Sequence, residues 1–122
     1  VTALSRRKGR AFEQEAARDF RAAMPGADVF RGSQAWVKSK AADLRMPWFA
    51  PECKVGQRPN IYRAMAQAEG KVSGDRWPVV VSRKNGTCGS NPPVDLVTMR
   101  KADFLQMVRQ WWGCFGEGEW VE

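Results

Sequence analysis

The chain has 122 residues, 43% of them hydrophobic, with 20 Lys and Arg against 13 Asp and Glu. That suffices for one compact domain with a packed core rather than a disordered chain, and no apolar run approaches the ~20 residues of a membrane span. Histidine is absent, which excludes Ser-His-Asp and Cys-His catalysis and any His-based zinc or HNH-type nuclease site. Acid–base chemistry must come from carboxylates, lysine, tyrosine or water.

The first residues, Val1 to Leu4, lead into the basic run Arg6-Arg7-Lys8-Gly9-Arg10 with no signal-peptide core, so a cytoplasmic protein is expected. Ser5 is placed to cap a helix running to about residue 23. Phe12, Ala16, Phe20 and Ala23 fall at i, i+4, i+8 and i+11 and form its apolar stripe. Glu13 flanks that stripe and is the acid of this helix best placed to point inward, although helix position alone favours a border glutamate paired with a nearby arginine. Glu15, Arg18 and Asp19 are expected to face solvent. Pro25-Gly26 stops the helix.

Residues 28–31 read as a short strand, broken at Gly32-Ser33-Gln34. The stretch 35–40 carries Trp36, Lys38 and Lys40, an aromatic among bases, and reads as a loop. Residues 41–45 and 49–55 read as two strands joined at Met46-Pro47-Trp48. With Pro47-Trp48 as the turn, antiparallel register places Asp43 opposite Glu52. Pro51 cannot donate to a ladder, so a bulge or unpaired edge is expected there. Residues 56–60 form a turn. Residues 61–72 form a second helix, with Ile61, Met65 and Ala68 toward the core and Arg63, Gln67 and Lys71 nearby. The run Trp77 to Ser82 reads as a buried strand. Residues 83–93 form a loop, 94–99 a last strand and 102–112 a third helix. Trp111, Trp112, Phe115 and Trp120 are candidate dimer contacts, but at helical spacing such aromatics are expected to serve the core first. The tail at 113–122 is glycine-rich, acidic and aromatic, and is expected to be mobile.

A single α/β (α+β) domain over 1–122 follows, with a central mixed sheet flanked by helices in the order αβββαββα. Cys53, Cys88 and Cys114 are too few and too widely spaced for a disulfide framework or a zinc ribbon. Reduced, buried thiols are expected.

The net charge is +7, and three of the 13 acids (Glu117, Glu119 and Glu122) lie in the last six residues. The remainder carries 20 bases against 10 acids (13 less 3), a balance that points to a polyanion partner, most often nucleic acid. Within this basic chain stand Glu13, Asp43 and Glu52-Cys53-Lys54. Acidic oxygens suit a hard divalent cation that keeps part of its water shell. Such a cation polarises a phosphoryl oxygen and makes a bound water nucleophilic. Lys54, two residues after Glu52, shares its face of a strand and would lie near the attacked phosphate. Three acids and a lysine in this order are what a magnesium-dependent nuclease requires.

The same residues resemble the PD-(D/E)xK nuclease superfamily, and within it the archaeal and phage-type Holliday junction resolvases. Arg7-Lys8-Gly9-Arg10-Ala11-Phe12-Glu13 resembles the opening R-K-G-x-x-x-E, and Phe30-Arg31-Gly32-Ser33 resembles V-R-x-x-G-S. Ala42-Asp43 stands where the family has Pro-Asp, Glu52-Cys53-Lys54 matches E-x-K, and Gln67-Ala68-Glu69-Gly70 resembles Q-A-E-G. The likeness covers about residues 5 to 85. It implies a restriction-endonuclease-like core and a Mg²⁺ ion, replaceable by Mn²⁺, held by Asp43, Glu52 and the Cys53 backbone carbonyl with help from Glu13. It further implies that Lys54 steadies the nucleophile or phosphate, Gln67 supports the site and Ser33 lies by the scissile strand. Arg6, Arg7, Lys8, Arg10, Arg31, Lys38 and Lys40 would contact DNA. The activity implied is hydrolysis of branched DNA by a homodimeric recombination endonuclease, phage- or prophage-encoded, with no organic cofactor and no membrane partner. A restriction, repair or general nuclease, and a non-catalytic basic DNA-binding module, are the alternatives.

Overall fold

The computed structural model describes residues 3–32, 42–72, 74–84 and 94–116. Along the chain the elements are α1 (Ala3–Ala23), β1 (Phe30–Arg31), β2 (Leu44–Arg45), β3 (Phe49–Gly56), α2 (Ile61–Gly70), β4 (Trp77–Lys84), β5 (Leu96–Met99) and α3 (Lys101–Phe115). Among the described residues the protein is thus a mixed α and β structure with three helices. Its main sheet has three strands in the order β3-β4-β5, and β1 pairs with β2 separately. No helix among the described residues is long and apolar enough to cross a membrane.

The sheet is mixed. β3 runs parallel to β4, with Phe49 beside Trp77 and Glu52 beside Val80, and β5 runs antiparallel to β4. α2 is the crossover that a parallel pair requires. Val80 and Val81 show how the sheet is covered, since adjacent strand residues point to opposite faces. Val81 joins Phe12, Ala16 and Ala17 of α1, together with Val29, Leu44 and Met46. Val80 packs with Ala64 and Met65 of α2. One helix therefore lies on each face, and Cys53 and Val55 of β3 lean toward the α1 side.

The helix ends follow local chemistry. α1 begins before Ser5, so that residue is not its N-cap. The helix ends where Gly26 adopts φ 89°, a left-handed conformation open to glycine. The Asn60 side chain accepts from the Arg63 N–H at 3.0 Å and caps α2. α2 ends at Gly70, short of residue 72, with Lys71 as its C-cap.

Several expectations are corrected. β2 does not form a hairpin ladder with β3; it pairs with β1, Phe30 beside Arg45 and Arg31 beside Leu44. The connection contains Trp48 at φ 73°, and Phe49 N–H donates back to the Pro47 carbonyl at 2.9 Å, a tighter bend than a two-residue hairpin turn. Pro51 makes no bulge, and the unpaired-edge alternative holds: it is fully buried within a continuous β3, beside Val79, with its nitrogen on the outer side of this edge strand. In a strand a residue's N–H and C=O point to the same side. The Pro51 carbonyl accepts from Asp43, so its missing N–H would have faced away from β4 and no β3–β4 bond is lost. β4 extends through Arg83 and Lys84, and α3 runs on through residues 113–115, where composition predicts a mobile tail.

A further correction concerns α3. Its aromatic stripe is not core: no residue of this helix is buried. Trp111, Trp112 and Phe115 are 66%, 58% and 70% exposed. Periodicity identifies the stripe, but what covers it is a tertiary property. Cys114 on the same helix is exposed, against the expectation of buried thiols, and Cys53 is partly buried. Trp120 and Cys88 lie outside the described residues.

Candidate active site

Asp43 is fixed from three directions. Its carbonyl accepts from Gly32 N–H at 2.9 Å, and its own N–H donates to the Pro51 carbonyl at 3.2 Å. Its carboxylate oxygen Oδ2 accepts from Cys53 N–H at 2.8 Å. The side chain thus substitutes for a neighbouring strand along the open side of β3. The Cys53 carbonyl lies on that same side by the strand rule applied to Pro51. Glu52, one residue earlier, projects to the α2 face and is only 3% exposed.

Glu52 is compensated by two lysines. Lys71 Nζ lies 3.0 Å from Oε1 and 3.2 Å from Oε2. Lys54 Nζ lies 3.6 Å from Oε2 and is the more exposed of the two. Lys71 has the larger claim on the carboxylate, and sequence reasoning assigns it no role. A signal exists: Ala64 and Ala68 are buried on α2, and a step of three from Ala68 reaches Lys71 on the same helix face.

Burial, then the negative charge of Glu52, pushes the Asp43 carboxyl up to about 6, against the opposing hydrogen bond from Cys53; the charge of Glu13 adds a smaller push. Burial and the three surrounding acids likewise push the Cys53 thiol upward, so it stays protonated and unreactive. The charges of Glu13, Asp43 and Glu52 are therefore all felt at Cys53.

These three acids do not form one chelating cluster. Glu13 is half-buried, and its Oε1 accepts from Arg31 Nε at 3.0 Å. It points inward and pairs with an arginine, so both readings of this residue hold. Among the described residues no three His, Cys, Asp or Glu side chains are grouped to hold a metal ion. The pair available is Asp43 with Glu52. Mg²⁺ binds through one or two carboxylates and keeps several waters, so two carboxylates and a backbone carbonyl are the kind of donor such an ion takes.

The remaining candidates are dispersed. Gln67 is exposed on α2, and Arg6, Arg7, Lys8 and Arg10 are exposed along the first turns of α1. Arg31 is engaged by Glu13. Ser33, Lys38 and Lys40 lie outside the described residues. Glu15 does not simply face solvent. Its carboxylate holds Arg83 at 2.8 and 3.0 Å, and Arg83 also binds Asp95. The Arg83 guanidinium lies over the Phe12 ring, 4.9 Å from its centroid, and ties α1 to β4. No protein-family model, curated protein or solved structure matches the chain.

Proposed function

We propose that the protein is a Mg²⁺-dependent endonuclease that hydrolyses phosphodiester bonds in DNA, selecting branched DNA such as a Holliday junction, with Mn²⁺ able to replace Mg²⁺. The observation that carries this reading is Asp43 set against buried Glu52 on β3, with Lys54 and Lys71 beside them. In a chain of net charge +7, a surface built only to hold DNA gains nothing from neighbouring carboxylates whose charges oppose one another. A divalent cation relieves that opposition and turns the pair toward phosphate. A parallel strand pair covered by one helix on each face also supports a restriction-endonuclease-like core.

In this reading Asp43, Glu52 and the Cys53 carbonyl hold the ion. When bound, it supplies Lewis-acid activation of phosphate and a water of lowered pKa. Lys54, the more exposed lysine, reaches the phosphate and offsets charge developing on it. Lys71 orients Glu52. The exposed bases of α1 hold backbone phosphates on the flank.

Glu13 held by Arg31, with no three-acid group among the described residues, favours a second reading: a basic DNA-binding module without catalysis. Four-way junction and matched linear duplex, each with and without Mg²⁺, separate the possibilities. Metal-dependent cleavage of the junction alone is the expected outcome. Equal cleavage of both substrates leaves a general, restriction or repair nuclease. Binding without cleavage in either Mg²⁺ or Mn²⁺ leaves the module.

A further inference from the structure

Trp48 stands at φ 73°, in the left-handed region that glycine enters freely and a bulky side chain does not. Three hydrogen bonds impose the bend. The Trp48 carbonyl accepts from Trp77 N–H at 2.7 Å, and Phe49 N–H donates to the Pro47 carbonyl at 2.9 Å. Arg76 Nε donates to the Met46 carbonyl at 2.8 Å. A glycine would satisfy the same backbone without strain. Nor does the core use the indole, because Trp48 is 65% exposed. Strain kept at a position whose side chain the core does not need points to a ligand contact.

Trp48 lines a cleft of about 560 Å³ between α3 and the start of β4, a volume usual for small-molecule sites. Trp77 is a fixed wall of it. Its ring lies 5.8 Å from that of Phe49, inclined at 43°, and its Nε1 donates to Gln106 Oε1 at 3.3 Å. That bond engages the amide oxygen of Gln106, while its amide nitrogen, a double donor, lies on the other branch. Asp103 and Gln110 line the cleft too, and at 100° per residue they share the Gln106 face of α3. Asp75 and Arg76 line it from the start of β4.

These groups select a chemistry. An exposed indole is a stacking platform for a planar ring. Two carboxamides, two carboxylates and a guanidinium offer both acceptors and donors to the edge of a heterocycle. Two acids against one base disfavour a phosphate inside the cleft, and Arg76 opposes an organic cation. We propose that the cleft binds one unpaired nucleobase, stacked on Trp48 with its polar edge toward Gln106, Gln110 and Asp103, and presented by a DNA strand whose backbone stays outside. A fully paired duplex must first lose a base pair to fill it, so the cleft favours DNA in which a base is already unpaired. Trp48 precedes Glu52 by four positions, about 13 Å of extended chain, so this contact is separate from the Asp43–Glu52 pair. It rests on DNA as the partner proposed above and not on cleavage.

2-Aminopurine, an adenine analogue whose emission is quenched on stacking, tests the contact. In chelator, it is placed as the unpaired base of a single-stranded flap or paired within a linear duplex, and binding is followed separately by anisotropy of an end label. Saturating protein should quench the flap base and leave the paired one unchanged. Trp48→Gly should abolish the quenching and weaken binding of the flap DNA roughly 5- to 150-fold. It should leave duplex affinity unchanged and hold or raise the urea midpoint, since the strain is relieved. Gln110→Ala, at an exposed helix position away from the bend, should weaken flap binding in the same direction. Bound flap DNA whose 2-aminopurine stays bright overturns the proposal. So does loss of quenching in Trp48→Gly with a lowered midpoint, which would make the residue structural. If neither DNA binds, the DNA reading fails and adenosine decides. Saturable quenching of tryptophan emission by adenosine, lost in Trp48→Gly, keeps a nucleobase site fed by free nucleosides. No response to adenosine, or a response to tetramethylammonium alone, overturns it.

Discussion

Lys71 Nζ donates to both carboxylate oxygens of Glu52, at 3.0 and 3.2 Å, and so holds the most deeply buried acid among the described residues from the C-terminal end of α2. A cation built into the chain stabilises Glu52 whether or not a metal is bound. Breaking a buried ion pair by removing one partner costs about 3–5 kcal/mol; with Lys54 still 3.6 Å away, Lys71→Met should cost about 2–3 kcal/mol. Urea denaturation in chelator measures it. Millimolar Mg²⁺ should recover part of the loss, because a bound ion takes over the charge. No loss in chelator would show that the pair is not holding the site.

Asp43→Asn and Glu52→Gln should each abolish cleavage while DNA binding stays equal or becomes tighter. Each change removes an oxygen ligand of the ion and also a negative charge facing phosphate. In Asp43→Asn the new side-chain amide retains an oxygen to accept from Cys53 N–H, so the fold should survive. Nicking assays beside binding isotherms make the comparison, and full activity of either variant at saturating Mg²⁺ removes the pair from the chemistry.

How Asp43 meets Glu52 shows what the sequence could and could not convey. Their proximity is legible, because a separation of nine residues with a bend at Pro47-Trp48 returns the chain on itself. The means is not. The spacing predicts a hairpin ladder, whereas the Asp43 side chain itself caps Cys53 N–H and β2 turns to β1. The β3–β4 pairing joins residues some 28 positions apart, Phe49 beside Trp77, and no local pattern encodes the partner of a parallel strand. Phe12 and Ala16 are legible as core from their helical period, and Val81 from its continuous apolar run. For α3 the same periodicity misleads, since an apolar stripe is equally what a core and an interface require.

Lys54→Ala should lower turnover strongly, about 10²-fold or more if its charge acts on the developing transition state, with little change in affinity because it is one base among 20. Single-turnover rates at saturating enzyme isolate the effect. Weaker binding with unchanged single-turnover rate would make Lys54 a phosphate anchor instead.

Asp43 also sets a pH dependence. Its carboxyl is raised from 3.8 to about 6 in the folded chain, so the folded state holds the proton more tightly than the unfolded one. The resulting stabilisation is fully present below about pH 4 and is lost as pH rises through about 6. Its size is about 2–3 kcal/mol. In chelator, Asp43→Asn should therefore be more stable than the parent at pH 8, and the gap should close between pH 6 and 4. Adding Mg²⁺ at pH 8 should raise the melting temperature of the parent and not of the variant. A pH-independent gap would mean that Asp43 is not held at raised pKa.

DNA binding should weaken steeply with salt, since each phosphate contact contributes a slope of about −0.9 in log K against log salt. Arg7, Lys8 and Arg10 are exposed on the first turns of α1. Replacing all three with Gln should flatten the slope by roughly two to three units if each touches phosphate. Arg83 is the matched control. It is a base on the same side of the sheet as α1, but Glu15 and Asp95 hold it. Arg83→Gln should leave the slope unchanged and lower the unfolding midpoint, because it breaks the link from α1 to β4. An unchanged slope in the triple variant would move the DNA surface off α1, with Lys38 and Lys40 as the next positions to replace. A flattened slope in the control instead would mean that DNA opens the Arg83 cluster, a rearrangement that loss of its ion pairs would report.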